Sequence, residues 1–462
     1  MDEATSLLFD LDGFQVVSVV EVDGGYREAR VEGVTGEQAC PDCGVFSARV
    51  HSRTVQRVKD LPYGRPLVVR WHKRRWACAE PACRRRTFSE HNAQVGPGRR
   101  LTLRLRERLE RAVSGSLRSA ADVAREYDVS WWSVNQALVV KAAEVLGPAP
   151  PGVVRLGIDE TRVRRVRWLL EEAGWRRCDP WMTSFVDLDP GRPGGLLGLA
   201  PGRSGASVRG WLGLQSTEFR AGVRVVAIDP SAPFAAAVRD RALLPNATLV
   251  VDHWHLHRLA NLMLTQVRQR VTQQVHGHRG RANDDVWAYR RLLLRNGRAL
   301  SDRQWARLRS MFATDDPTGE ILAAWAGKEC LRQLLDAVDG GVRPYEIRAK
   351  LDQFYTCAAE GDVPELTRLA ETVETWWPEI LNFLQLRVTN ARTEGYNRTI
   401  KTIKRVGCGY RNESNYRRRI MLHSAAAAAC PDNRGSRIHG QPRRALQSHD
   451  AGTSEALGAQ GP

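Results

Sequence analysis

Between residues 14 and 35 the chain alternates apolar and polar positions, FQVVSVVEV and then YREARVEG, about Asp23-Gly24-Gly25. A period of two around a Gly pair predicts a β-hairpin. Residues 61–76, LPYGRPLVVRWHKRRW, read as further short strands. Residues 1–95 are thus a small strand-rich unit whose core calls for a staple. From Leu101 to Leu146 the period becomes helical, in LTLRLRERLERAV, SAADVAREY and, after a short turn, WWSVNQALVVKAAEVL. Ala120, Val123, Ala124 and Tyr127 fall on one face of the second helix. Trp131, Val134, Leu138, Ala142 and Val145 fall on one face of the third, with Trp131 expected in the core and Ser130 placed to cap the start. Residues 96–150 suit a helix-turn-helix, though any small helical bundle gives similar spacing. The Pro/Gly stretch GPAPPG closes the unit.

A third pattern runs from Val153 to Asp252. VVRLGIDE, WMTSFVDLD, GGLLGLA, VRVVAIDP and ATLVVDHWH are short apolar runs bounded by Gly, Pro and Asp, as buried strands require. Helical stretches separate the third from the fourth and the fourth from the fifth, giving the order β-β-β-α-β-α-β. Residues 257–384 are helical throughout, and residues 431–462 lack apolar periodicity and are expected to be disordered. The reading is a multidomain α/β chain. Residues 151–256 and 385–430 form the sheet domain, and 257–384 an all-α insertion.

Charge changes the picture. The 462 residues carry 69 Lys plus Arg against 52 Asp plus Glu, a formal +17, which favours a polyanionic partner, DNA or RNA. No apolar run approaches the ~20 residues of a spanning helix, and the acidic start MDEATSLLFDLDGF has no basic region before an apolar core. A cytoplasmic protein is expected. Among the nine cysteines, Cys40 and Cys43 form one close pair and Cys78 and Cys83 another. Two such knuckles can bring four thiolates to the corners of a structural zinc tetrahedron. Lys73, Arg74, Arg75, Arg84, Arg85 and Arg86 crowd the second knuckle, which suggests phosphate contact or a solvated face. On the third helix Trp132, Ser133, Asn135 and Gln136 are candidates for DNA contact.

Metal-dependent phosphodiester chemistry gathers carboxylates from different elements around two hard cations. Asp159 and Asp229 close the first and fourth runs, which are neighbours if the sheet is RNase H-like. Asp187, Asp189 and Asp252 also end strands and compete for the role, and a lone strand-end Asp is usually a turn or cap. The stretch 387–405, RVTNARTEGYNRTIKTIKR, has six basic residues and one acid, Glu394. As a helix it places Glu394, Arg398, Lys401 and Arg405 on one face and Tyr396, Ile400 and Ile403 on roughly the opposite one. An ion pair between Glu394 and Arg398 is the plain alternative.

TNARTEGYNRTIKTIKRVGCGYRN resembles the segment around the catalytic Glu of the DDE transposases of the ISL-three insertion-sequence family. The paired cysteines, the helix-turn-helix, GIDE, and AIDP followed by PNATLVVDHWH match in order, over roughly residues 10–428. The resemblance implies a DNA transposase with an RNase H-like catalytic domain. Asp159, Asp229 and Glu394 would be its Mg2+ (or Mn2+) ligands, and Asp252 and His255 an Asp-x-x-His motif. Asp229 is preferred to Asp252 as second ligand because that ligand belongs on the fourth strand. Arg398, Lys401, Lys404 and Arg405 would hold DNA phosphates. The zinc ribbon and helix-turn-helix would read terminal inverted repeats, and pairing two ends implies a dimer or higher. Cys408 stands where an aromatic is usual, and Asp252-His253-Trp254-His255 where Asp-Arg-Phe-His is usual. An RNase H-like nuclease that does not join strands, and a DNA-binding regulator, are the rival readings.

Overall fold

The computed structural model describes residues 6, 9–147, 149–192, 195–337 and 343–429. The tail expected to be disordered, 431–462, lies outside them. Strands β1 (Phe14–Val22) and β2 (Tyr26–Gly33) form the expected hairpin, turning at Gly24 and Gly25, both at positive φ. Where short strands were expected there are two long ones, β5 (Val50–Tyr63) and β6 (Arg65–Ala77), paired antiparallel. Length follows from burial: β6 packs Leu67, Val69 and Trp71 against Phe14, Val31 and Val58, and Phe14 meets Trp71 edge to face. The short strands β3 (Gln38–Ala39), β4 (Phe46–Ser47) and β7 (Thr87–Ser89) frame a second small core of Cys40, Trp76, Cys83 and Phe88.

Helices α1 (Leu103–Ser114), α2 (Ala120–Glu126) and α3 (Trp131–Val145) make a three-helix bundle. Ser130 caps α3 as expected, its Oγ accepting from Ser133 N–H. The buried stripe of α3 is Val134, Asn135, Ala137 and Leu138. Trp131, expected in the core, is 46% exposed. It opens the helix, and a helical Cβ points back toward the N-terminus, so its side chain overhangs the end of the bundle. Val145 is exposed too, because α3 outruns α2, having 15 residues against 7.

The remaining strands are β8 (Arg155–Arg162), β9 (Arg167–Glu171), β10 (Gly174–Cys178), β11 (Trp181–Asp187), β12 (Leu196–Pro201), β13 (Val225–Ile228) and β14 (Thr248–Val251). Five of them form a mixed sheet in the order β12-β11-β8-β13-β14, antiparallel through β8 and parallel from there to β14. The first and fourth apolar runs are therefore neighbours. The hairpin β9–β10 was not anticipated from the sequence. Between strands lie α4 (Gly205–Gly213), α5 (Thr217–Gly222) and α6 (Ala232–Val238).

Helix α7 (His253–His276) begins earlier than the expected 257, directly after β14. Seven helices follow as α8 to α14: Asp285–Ala288, Arg290–Leu293, Asp302–Asp315, Glu320–Leu335, Pro344–Gly361, Pro364–Thr375 and Trp377–Leu386. Helices α15 (Ala391–Val406) and α16 (Glu413–Ala429) close the described chain. One continuous apolar core runs from the sheet through these helices, so the inserted helices share the sheet's interior. Leu422 of α16 enters the core of the three-helix bundle.

The sheet is covered on both faces. Ile158, Phe185 and Gly198 are cross-strand partners, hence on one face, where Phe185 stacks on Trp211 of α4 at 3.9 Å. Gly157 and Asp159 project to the other face, under α15. A Cβ at residue 157 would stand 2.3 Å from Thr393 Oγ1 and 2.8 Å from Asn390 Oδ1. Gly157→Ala is therefore expected to lower unfolding stability by about 1–3 kcal/mol in denaturant titrations. Thr393→Ala should restore part of that loss, and a Gly157→Ala protein as stable as wild type would contradict the close approach.

Candidate active site

Ile158 and Ile228 are partners in the parallel pair β8–β13, so Asp159 and the next residue after β13, Asp229, emerge side by side on one face. Asp159 is 8% exposed. Its Oδ1 accepts from Glu160 N–H at 2.7 Å, and its Oδ2 accepts from Nδ2 of Asn397 on α15. Asp229 Oδ1 is buried with no hydrogen-bond partner. The other oxygen, Oδ2, lies 2.9 Å from His255 Nε2, and the same nitrogen lies 3.8 Å from Glu394 Oε1. His255 therefore stands between two carboxylates delivered by β13 and α15. Among the described residues Glu394 makes no ion pair with Arg398. Its ionic partner there is His255.

Helix α15 is held by groups the sequence reading did not single out. Asn390 N–H donates to Asp252 Oδ2 at 3.1 Å, and Asn390 Nδ2 to Ile158 O at 3.3 Å. Arg392 Nη1 donates to the carbonyls of Asp187 and Asp189. Ser184 Oγ lies 3.2 Å from both Asp159 O and Asn397 Oδ1. Asn397 falls on the buried side of α15, one turn after Glu394, and its amide beside the expected apolar positions is the signal that could have found it. Ile400 and Ile403 pack inward as expected, with Tyr396 half-buried, while Arg398, Lys401 and Arg405 are exposed and Lys404 is half-exposed.

The competing acids have structural partners. Asp189 accepts from Val154 and Arg155 N–H, and Asp187 from Asp189 N–H. Asp252 accepts from Trp254 N–H with one oxygen and from Asn390 N–H with the other, tying the start of α7 to the start of α15. Those are the helices that carry His255 and Glu394.

Electrostatics single out the same cluster. Burial, and then the charge of Asp229, push the Asp159 carboxyl up to about 8. Burial and Asp229 also raise Glu160. Burial pulls the His255 imidazole down, but the hydrogen bond and charge of Asp229, with Asp252 and Asp159 behind it, outweigh that and raise it. Burial would raise Asp252, yet the contacts with His253 and the Trp254 and Asn390 N–H groups hold it below the usual carboxylate range. Two crowded carboxylates, one with an orphaned buried oxygen, fit a cation that is itself the missing partner.

The second candidate centre is the cysteine quartet. One ligand atom from each of Cys40, Cys43, Cys78 and Cys83 lies within 4.8 Å of all the others. Cys40 and Cys83 Sγ are 4.0 Å apart, and Cys43 and Cys78 Sγ 3.6 Å. Corners of a tetrahedron with metal–sulfur bonds of ~2.3 Å are about 3.8 Å apart. Among the described residues only this quartet closes so tightly, and Asp159, Asp229 and Glu394 do not. The basic run beside it is partly engaged within the fold. Arg74 pairs with Glu90 and lies over Trp76, and Arg85 pairs with Asp42.

Residues 156–420, which contain all three carboxylates, match the transposase family model of ISL-three type. The chain belongs to the ISL-three transposase family. Residues 36–91 of this transposase, with the four cysteines, match the zinc finger of the transposases of IS204, IS1001, IS1096 and IS1165. The transposase for insertion sequence element IS1001 of Bordetella parapertussis is 26% identical over 382 residues, 82% of this chain and 86% of that protein. Among the described residues, no helix of the transposase is long and apolar enough to cross a membrane. Of the residues expected at DNA on α3, Trp132 is exposed and Ser133 and Gln136 half-exposed, but Asn135 is buried at 6%. It falls beside Val134 on the inward stripe, one turn before Leu138.

The raised Asp159 carboxyl has a pH signature. The fold favours its protonated form, so its contribution is complete below about pH 4 and is lost as pH rises through about 8. Without added divalent metal, the transposase's Tm should fall from about pH 5 to 8, and Asp159→Asn should lose less over that window. Parallel pH profiles for the two proteins would contradict the assignment.

Proposed function

We propose that the mixed sheet is an RNase H-like catalytic core in which Asp159, Asp229 and Glu394 hold two Mg2+ (or Mn2+) ions for DNA cleavage and strand transfer. The carrying observation is the buried, unpartnered Asp229 Oδ1 beside Asp159, with Glu394 brought to the same histidine. Bound there, the metal would supply Lewis-acid stabilisation at the scissile phosphate and activate a water or 3′-hydroxyl nucleophile. Asp159 and Asp229 fix the ligand geometry from rigid strand positions, and Asn397 and Ser184 orient Asp159. Asp252 positions rather than ligates, its two oxygens tying the first turn of α7 to the first turn of α15. His255 stands between Asp229 and Glu394, where its ring would hold both carboxylates toward the site.

Arg398, Lys401, Lys404 and Arg405 run along α15 from Glu394 and carry no ion pair among the described residues, which suits a track for DNA phosphates. The four cysteines would hold a structural Zn2+, and its binding energy would be folding energy for the ribbon. The ribbon and the three-helix bundle, read as a helix-turn-helix, would recognise the terminal inverted repeats, with Trp132, Ser133 and Gln136 toward DNA. The working complex pairs two element ends and so needs at least a dimer, acting on chromosomal DNA in the cytoplasm.

The test uses DNA flanking the protein's own gene with Mg2+. Wild type should nick at the element end and join the freed 3′-end to target DNA. Asp159→Asn, Asp229→Asn and Glu394→Gln should each lower both steps by about a thousandfold or more. Hydrolysis without joining would make the protein a nuclease, and full activity in Asp159→Asn would remove the carboxylates from the chemistry.

A further inference from the structure

The hairpin β9–β10 pairs with no other strand among those described and stands apart from the five-stranded sheet. Its register sets Trp175 opposite Leu170 and Arg177 opposite Trp168. Cross-strand partners and residues two apart share a face, so Trp168, Leu170, Trp175 and Arg177 form one side of the ribbon. Trp168 is 57% exposed, Leu170 68% and Trp175 66%. The strand acid on the other side, Glu171, is paired with Arg176 at 2.7 Å. The open side therefore carries two indoles, a leucine and a single positive charge.

A two-stranded ribbon gains little stability from apolar side chains left in water. Its placement gives them a use. β8 carries Asp159 and continues to Arg162, three residues or about 10 Å farther along, where the ribbon leaves the sheet. The stalk is fixed there: Val163 N–H donates to Pro180 O at 2.8 Å, and Arg164 holds Asp179 O at 3.0 Å and Glu413 at 3.1 Å. Within residues 162–179 six arginines stand against three acids, which favours a polyanion over an acidic or neutral surface. In a duplex both faces of each base are taken by neighbours, whereas an unpaired base has a face free to stack on an aromatic ring.

We propose that this face of the hairpin is a stacking platform for unpaired DNA bases beside the catalytic carboxylates. Trp168 and Trp175 receive the base planes and Arg177 a neighbouring phosphate. The proposal rests on the reading of Asp159, Asp229 and Glu394 as the place where the DNA strand reacts. Its test does not depend on catalysis. Full-length protein, without added divalent cation, is titrated into a fluorescein-labelled thymidine oligonucleotide of about 20 nucleotides and into a duplex of the same length, read by anisotropy. The Trp168→Ala/Trp175→Ala double variant should bind the single strand about tenfold or more weakly and the duplex within about twofold of wild type. Trp168→Phe/Trp175→Phe should recover much of the loss. Full strand joining by Glu394→Gln would sink the catalytic reading while leaving this binding result intact. Unchanged single-strand binding, or equal loss on both probes, overturns the platform. So does intact single-strand binding with a shift to a smaller species in sedimentation, which would assign the face to a second copy of the chain.

Discussion

Helix α15 can lie against β8 because residue 157 has no side chain. The space a Cβ would fill is held by Thr393 and Asn390, and that approach lets Asn397 reach Asp159 and Asn390 reach the backbone of Ile158. Glu394 is thereby carried to the histidine that already touches Asp229. A helix standing a few ångströms farther off would leave Glu394 short of the strand acids. The seating also joins distant parts of the chain, since Asp252 clamps the first turn of α15 to the first turn of α7. The long helical stretch between them can thus be inserted without moving the two ends that matter.

Charge acts on the same seating. Asp159 and Asp229 are crowded and largely out of water, and the fold keeps a proton on Asp159 up to about pH 8. Protonating Asp159, and setting His255 against Asp229, lowers the repulsion in the metal-free protein. A divalent ion held by Asp159 and Asp229 would do the same without the proton, leaving both carboxylates ionised. At the other end of the chain the quartet of thiols follows the same logic, with four polarisable ligands gathered around a space of metal size.

Much of this was legible in the chain. The five apolar runs became five strands, and the Asp residues after Ile158 and Ile228 came out adjacent because strand order fixes their register. The two Cys knuckles met because the antiparallel pair β5–β6 between them sets Val50 opposite Trp76. What failed depended on partners far away in sequence. Trp131 and Asn135 changed places relative to expectation because helical periodicity gives a stripe but not its rotation, which α1, α2 and Leu422 of α16 decide. Asn390, Arg392 and Asn397 were passed over because polar side chains on a basic helix look solvated until a sheet face is laid against them. The hairpin β9–β10 was missed because RWLLE and GWRRC lack the buried alternation by which strands are recognised, both being exposed along most of their length.

The central claim is that three acids from β8, from the end of β13 and from α15 make one metal site. Fe2+ placed in the Mg2+ site generates hydroxyl radicals with ascorbate and peroxide, and these cut the backbone only within a few ångströms of the ion. The account predicts three cleavage positions, near Asp159, near Asp229 and near Glu394, all suppressed together by excess Mg2+ and all lost in Asp229→Asn. Cuts near Asp159 and Asp229 with none at α15 would contradict it.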